Sequence, residues 1–157
     1  MKKFTFSSVL DKRYRRDLEK LLFFNFSGPK ARAKIIEAVR KYGSPKIVKS
    51  GPNLKVELNG LSEVQSLFVF CDEKGAMPHL CGAVVYVRES PESILVLHIA
   101  VHREFTMRGA HSGEWLLYKM IDQLREIARV VKGIRFISIL YAPENRRLIP
   151  IRPPVPG

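Results

Sequence analysis

The residues with the clearest chemical potential lie between two apolar segments, in the stretch "LHIAVHREFTMRGAHSGEWLLYKM" (residues 97–120). A buried-strand pattern ends near Val101, and a helical pattern follows. Small and basic residues fill the junction, namely Arg108, Gly109, Ala110, His111, Ser112 and Gly113. The first turn of a helix carries free N–H groups and a partial positive charge, which small residues allow a phosphate to approach. The junction fits either a diphosphate site or a plain turn in which Gly109 bends the chain and Ser112 caps the helix.

Two further side chains could handle protons. His98 is the best candidate for a general base because the ordinary pKa of histidine lies near 6.5, and Tyr141 could donate a proton to a leaving group. Structural roles compete with both assignments, since a histidine in a sheet and a tyrosine at a strand end are often simply hydrogen-bonded. No metal cluster, paired carboxylates or Ser/His/Asp set is evident, and Cys71 and Cys81 are expected to be buried free thiols.

The elements that position these residues follow from periodicity. "KKFTF" predicts a strand, and "SSVLDKRYRRDLEKLLFF" predicts a helix with its apolar face on Val9, Tyr14, Leu18, Leu21 and Leu22. A second helix is predicted over residues 26–43, capped by Ser27 and ended by Gly43. Period-two segments then predict two short strands around Gly51-Pro52, two more within residues 64–90, and the strands "SILVLHIAV" and "GIRFISILYA".

A long amphipathic helix separates the last two strands. Its predicted buried side comprises Gly113, Leu117, Met120, Leu124, Ile127 and Val131. A buried strand, a helix and a second buried strand favour a right-handed crossover and a parallel pair. The predicted class is therefore α/β with a mixed antiparallel and parallel sheet, in a single domain over residues 1–150. The proline-rich segment 143–157, whose last residues 151–157 form the tail, is not expected to continue as a helix or a central strand.

Composition bears on partners and location. The 157 residues suggest one domain, and the formal net charge of +12 favours an anionic partner such as a nucleotide cofactor, a nucleic acid or an acidic substrate. No apolar run approaches the roughly 20 residues that span a bilayer, and the N-terminus lacks the pattern of a signal peptide. A cytoplasmic protein that does not enter membranes is therefore expected.

The order of elements and several motifs resemble the GNAT superfamily of acyl-CoA N-acyltransferases. "LHIAVHREF" is similar to the family's fourth strand and its exit, especially to the "AVHR-x-F" segment of arylalkylamine N-acetyltransferases. "FVFCDEKGAMPHLCGAVVYV" resembles the preceding hairpin, with Gly82 after a polar turn, and "ISILYAPENRRLI" resembles the fifth strand followed by the family's asparagine, here Asn145. The resemblance covers roughly residues 68–145.

The family's phosphate signature, Gln/Arg-x-x-Gly-x-Gly/Ala, can be aligned in two ways. The spacing of "AVHREF" favours the alignment with Thr106, Gly109 and His111 at the three anchors and Arg108 as a basic neighbour. Starting from Arg108 instead places His111 and Gly113 at the two small-residue anchors. In both alignments a histidine stands where the family has glycine.

The resemblance implies acetyl transfer from acetyl-CoA to an amine acceptor. It assigns the thioester and pantetheine to the backbone of Ile99, Ala100 and Val101, and the phosphates to residues 108–113 with Asn145 nearby. The alternatives are a GNAT-fold module that binds CoA without catalysis and a nucleic-acid-binding protein that uses the basic residues of segment 12–41. Because the chain ends soon after Asn145, a sheet edge is expected to be exposed, which favours a homodimer.

Overall fold

A computed structural model of the chain describes residues 3–23, 40, 45–58, 63–72, 77–102, 105, 116–139 and 147–151. The elements in chain order are β1 Lys3–Ser7, β2 Leu10–Asp11, α1 Arg15–Phe23, β3 Pro45–Ser50, β4 Asn53–Leu58, β5 Gln65–Asp72, β6 His79–Ser90, β7 Ser93–Val101, α2 Leu116–Arg129, β8 Phe136–Ile139 and β9 Arg147–Pro150. A short 3-10 turn, Lys12–Tyr14, leads into α1. The second predicted N-terminal helix, apart from the helical Arg40, lies outside the described residues.

The strands form two sheets. The larger has six strands in the order β1-β5-β6-β7-β8-β9, and the smaller has three in the order β2-β4-β3. Strands β7 and β8 run parallel, as the strand–helix–strand pattern predicts, and the other neighbours in both sheets are antiparallel. The hairpin predicted around Gly51-Pro52 is also confirmed, as β3 and β4. The fold is thus mixed α/β, with many strands and few helices among the described residues.

The large sheet is covered on both sides. We call one side the α1 face; its core joins residues of α1 and the small sheet to the large sheet, namely Leu18, Leu21, Leu54, Val56, Phe68, Val85, Leu95, Leu97 and Ala100. The other side, the α2 face, buries Leu116, Met120, Leu124, Ala128, Val69, Val84, Val96 and Ile137. Burial on both sides explains why β7 reads as a nearly continuous apolar run.

The N-terminal helix is shorter than its pattern predicts. Leu10–Asp11 form β2, the helical path begins with the 3-10 turn at Lys12, and α1 begins at Arg15. Tyr14, Leu18, Leu21 and Leu22 are buried as predicted, whereas Val9 precedes β2 and is 57% exposed. The side chain of Asp11 accepts a hydrogen bond of 2.9 Å from the N–H of Arg13, which caps the 3-10 turn.

The long helix is present, but its buried stripe is displaced by one residue at its start. Leu117 was predicted to be buried and is 46% exposed, while Leu116, Ile121 and Ala128 are buried beside Met120 and Leu124. Because Leu116 and Leu117 are adjacent, the sequence pattern fits a buried stripe that begins at either one. Alanine is only weakly hydrophobic, so Ala128 gives little indication of burial. Neither α1 nor the described part of the long helix is long and apolar enough to cross a membrane.

The C-terminal segment contributes a strand. Arg147–Pro150 pairs antiparallel with β8, from Ile139↔Arg147 to Phe136↔Pro150. Ile151, predicted to begin the tail, is 2% exposed and donates its N–H to the carbonyl of Arg135 at 3.0 Å. In the described chain β9, and not β8, is therefore the last strand on this side of the sheet. The homodimer stays a prediction.

The turn after α2 is fixed to the turn between β6 and β7. Arg88 donates to the carbonyls of Pro91 and Lys132 at 2.8 and 3.1 Å, and the N–H of Phe136 reaches the carbonyl of Glu92 at 3.1 Å. Gly133 lies in this junction with φ +94°, and a Cβ there would stand 3.3 Å from the Pro91 oxygen. Side chains other than glycine rarely adopt such a φ.

We expect Gly133→Ala to lower the free energy of unfolding by about 2 kcal/mol, through backbone strain and the close carbonyl. Gly51→Ala is the matched control, because Gly51 also has a positive φ (+61°) but open space around it. Its expected loss is about 1 kcal/mol or less. Urea unfolding measures both, and equal losses would contradict the tight junction at Gly133.

Candidate functional site

The candidate site lies in the carboxyl-terminal half of β7, which holds the predicted ligand-binding positions Ile99, Ala100 and Val101. The described parallel register of β7 and β8 runs from Ser93↔Phe136 to Val96↔Ile139. Strand β7 continues for five more residues, to Val101, and no described residue of β8 lies opposite them. The carboxyl end of β7 therefore extends beyond the described end of its parallel neighbour.

A β-bulge lies at the same point of β7. On the β6 side, Val85 pairs with His98 and Tyr86 pairs with Val96, so Leu97 is an extra residue. A bulge bends its strand and increases the local twist. The bend falls directly after Val96, the last residue of β7 with a described partner in β8. The bulge therefore changes the direction of β7 just before the positions predicted to bind a ligand.

The register also fixes which backbone groups face outward. The N–H of His102 donates to the carbonyl of Cys81 at 2.8 Å, so the backbone groups of His102 are directed toward β6. Because directions alternate along an antiparallel pair, Ala100 also directs its backbone toward β6, opposite Ala83. Ile99 and Val101 direct theirs to the side of β8. Of the three backbone positions predicted to bind a ligand, Ile99 and Val101 therefore face the side of β8 and Ala100 faces the side of β6, and the roles of all three stay predictions.

His98 lies on the α1 face. Its register partner Val85 belongs to that core, and so does Leu97; strict alternation would have separated Leu97 and His98 onto opposite faces. Burial lowers the pKa of His98 from 6.5 to about 4, because the charged imidazolium loses solvation. The imidazole of His98 is therefore neutral at pH 7.

The exit from β7 is anchored by aromatic contacts. The N–H of Phe105 donates to the carbonyl of His102 at 2.8 Å, and the Phe105 ring packs edge-on against Phe4 at 5.6 Å. The Lys119 ammonium of α2 lies 4.6 Å from the centre of the Phe4 ring. These contacts hold Phe105 against β1, and Phe4 of β1 against α2.

A second pair of side chains meets at the same exit. The rings of His79 and His102 contact edge to face, with centroids 5.0 Å apart. Sequence reasoning missed this pair, because nothing in the pattern joins the start of β6 to the end of β7. Within the described ranges, no three His, Cys, Asp or Glu side chains come together in a way that could hold a metal ion.

The phosphate-binding part of the prediction falls outside the described residues. This applies to Arg108, Gly109, Ala110, His111, Ser112 and Gly113, and also to Tyr141 and Asn145. The described structure brackets the turn between Phe105 and Leu116, both of which are buried. It therefore locates the two ends of the predicted diphosphate site and leaves the roles of these eight residues as predictions.

Gly82 lets α2 pack closely on the sheet beside this site. A Cβ at Gly82 would lie 3.0 Å from both Cε and Sδ of Met120 and 3.3 Å from the carbonyl oxygen of Ala100. A larger residue would push the helix away from the end of β7. Glycine at position 82 thus allows the N-terminal part of α2 to approach the candidate site.

One buried hydroxyl near the site was not predicted. Ser138, in β8, is 2% exposed and is the sole polar residue in the buried class of the described chain. Its Oγ has no hydrogen-bond partner among the described atoms. Burying an unpaired hydroxyl costs about 1–3 kcal/mol, so such groups call for an explanation. A single serine in an apolar strand gives no signal in the sequence.

Comparison with known proteins adds no assignment. A scan against models of protein families finds no match for the chain, and a search of curated proteins finds none either. The geometry at the end of β7 is therefore the main structural observation on which a functional proposal can rest.

His98 predicts a specific pH dependence of stability. Its pKa is lower in the folded protein than the 6.5 of the unfolded chain, so unfolding takes up a proton between about pH 4 and 6.5 and stability falls as the pH falls through this window. The loss is on the order of 2–3 kcal/mol. We expect His98→Gln to lack this component of the pH dependence in urea unfolding at pH 4 to 7. Parallel curves for the two proteins would contradict the buried neutral imidazole.

Proposed function

We propose that the protein is a GNAT-like N-acetyltransferase that binds acetyl-CoA beside the outer edge of β7 and passes the acetyl group to an amine. The observation that carries the proposal is the β-bulge at Leu97, which bends β7 just before the predicted ligand-binding positions 99–101. In the proposal, this bend turns the outer backbone groups of β7 toward an extended ligand. The resemblance of "LHIAVHREF" to the family's fourth strand supports the same position.

The proposed roles follow the chain from strand to helix. The pantetheine arm lies along β7 at Ile99, Ala100 and Val101, and the N–H and carbonyl of Ile99 face the ligand. The diphosphate lies at the N-terminal end of the long helix, where Arg108, Gly109, Ala110, Ser112 and Gly113 combine a cation with small residues. His111 and Asn145 border this site in the proposal.

The reaction is a direct acyl transfer. A neutral amine attacks the thioester carbonyl, a C–N bond forms, and the carbonyl oxygen becomes negatively charged. An outward N–H of β7 stabilises that charge if it is held close to it. Collapse breaks the C–S bond, and the CoA thiolate accepts a proton, for which Tyr141 is the proposed donor.

The proton released by the amine has a separate route. A group with a pKa of about 4 is a weak base at pH 7, and general bases work best with pKa values near the working pH. We therefore assign His98 the role of a neutral hydrogen-bonding group and assign the proton transfer to water.

The nucleic-acid alternative receives less support from the basic N-terminal surface. Arg13 pairs with Asp11 at 3.8 Å and Arg15 pairs with Glu19 at 3.3 Å. On the small sheet, Lys46 stands opposite Glu57 in the β3–β4 register. Basic side chains that lie beside carboxylates leave less positive charge to contact a phosphate backbone.

Acetyl-CoA binding should be measurable by thermal unfolding. At a ligand concentration 100 times Kd, binding adds about 2.7 kcal/mol, which raises Tm by roughly 5–10 °C for a chain of this length. Gly109→Glu should abolish the rise, because it places a carboxylate at the phosphates. Val130→Glu adds the same charge at the far end of the helix, at a residue that is 85% exposed, and should keep the rise.

The outcomes separate the three hypotheses. A Tm rise with thiol release from acetyl-CoA across a panel of amines supports the transferase. A rise without thiol release supports a binding module. The transferase assignment is contradicted if acetyl-CoA leaves the Tm of the wild type unchanged, and salt-sensitive binding of an RNA oligonucleotide in that case favours the nucleic-acid alternative.

A further inference from the structure

Exposed basic side chains line one surface formed by α1, the 3-10 turn before it and β3. We call this surface the basic band, and its members are Lys12, Arg16, Lys20 and Lys49. Among the described residues, none of these four side chains forms an ion pair with a carboxylate. They differ in this respect from Arg13 and Arg15, whose charges lie beside Asp11 and Glu19.

Two contacts hold α1 and the turn before it against the β3–β4 hairpin. The N–H of Lys12 donates to the carbonyl of Pro52 at 3.3 Å, and the guanidinium of Arg15 donates to the carbonyl of Ile47 at 3.5 Å. Ile47 packs on the α1-face core, and Lys49 follows it by two residues in β3, which places both on the same side of the strand. Lys49 therefore lies on the side of the small sheet that faces α1, next to the helical part of the band.

The band suits a ligand that is recognised by charge. The exposed large apolar side chains of the described chain are Val9, Met77, Leu117, Tyr118 and Val130. None of them belongs to α1, β3 or β4. Protein interfaces and membrane surfaces draw on apolar or aromatic contacts, and single-stranded nucleic acids stack their bases on aromatic rings. Contacts of Lys and Arg with the phosphates of a double helix need no such side chains.

The length of the band also fits a double helix. The path from Lys12 to Lys20 covers roughly 12 Å at about 1.5 Å per residue, and duplex DNA carries one phosphate charge per about 1.7 Å of its axis. Several phosphates therefore lie within reach of the band at once. The formal net charge of +12 favours the approach of such a polyanion.

We propose that the basic band binds the phosphate backbone of double-stranded nucleic acid without reading its sequence. This surface is additional to the proposed acetyl-CoA site and does not depend on it. Each phosphate that a cation neutralises releases a counterion, so the affinity falls as the salt concentration rises. Duplex DNA and duplex RNA offer the same phosphate chemistry, and the experiment distinguishes them.

The test measures the fluorescence anisotropy of a labelled duplex of about 20 base pairs, as DNA and as RNA, between about 50 and 200 mM NaCl. Lys49→Gln and Lys55→Gln form a matched pair, because each removes one positive charge from an exposed lysine of the small sheet. Lys55 lies between Leu54 and Val56, which are buried in the α1-face core, so its side chain projects from the opposite side of the sheet. Lys55→Gln is therefore the control.

The wild type should bind with a slope of log affinity against log salt of about −3 to −4 on DNA, for four cations on phosphates. Lys49→Gln should weaken binding at least about 3-fold at the lowest salt and reduce the size of the slope by about 1. Arg16→Gln should do the same from a different element. Lys55→Gln should change the affinity less than about 1.5-fold and leave the slope as it is.

The outcomes are distinct from those of the acetyl-CoA experiment. Losses at Lys49→Gln and Arg16→Gln, equal for two unrelated duplex sequences, support the proposal, and the tighter duplex identifies DNA or RNA as the ligand. The proposal is overturned if the wild type binds neither duplex at about 50 mM NaCl. Equal losses for Lys49→Gln and Lys55→Gln would also overturn it, since overall charge would then account for binding. Binding to vesicles with about 30% phosphatidylserine, without binding to either duplex, would replace the nucleic acid by a lipid surface.

Discussion

Backbone hydrogen bonding along β7 constrains the rest of the structure. A central strand normally directs its N–H and carbonyl groups alternately to both neighbours, and unpaired groups are costly unless a ligand or water takes them. In β7 the extra residue Leu97 changes this arrangement after Val96. Upstream of the bulge, Ile94 and Val96 pair with β8. Downstream, Ile99 directs its backbone groups to the side of β8, and in the proposed function this half of β7 binds the ligand.

The packing around β7 holds that second half in place. Gly82 lets Met120 approach the sheet, so α2 lies close to Ala100. Phe105 and Phe4 hold the exit of the strand against β1, and Arg88 connects the end of α2 to the β6–β7 turn. The return strand β9 completes the other side of β8. The bend in β7 is therefore held in place from several sides, because separate contacts fix the beginning of the strand, its exit and α2.

The sequence predicts most of this framework because its signals are local. The period-two runs give the strands, the long amphipathic segment gives α2, and the strand–helix–strand order gives the parallel pair. The bulge was not predictable, because "SILVLHIAV" has the same composition with or without an extra residue. The phase of α2 was ambiguous between Leu116 and Leu117, and β9 was obscured by the prolines around it. In the site, Ser138 and the His79–His102 contact depend on tertiary positions that no spacing rule reveals, while His98 and Ile99 could be named from their place in the strand.

The most direct test of the account is amide hydrogen exchange at single residues of β7, with and without acetyl-CoA. Val96 pairs with β8 in the described structure and should be protected in both states. The outward N–H of Ile99 should exchange much faster than that of Val96 in the free protein and become protected when acetyl-CoA is added. Equal protection of Ile99 and Val96 in the free protein, unchanged by the ligand, would mean that the strands stay paired past the bulge, and would contradict the account.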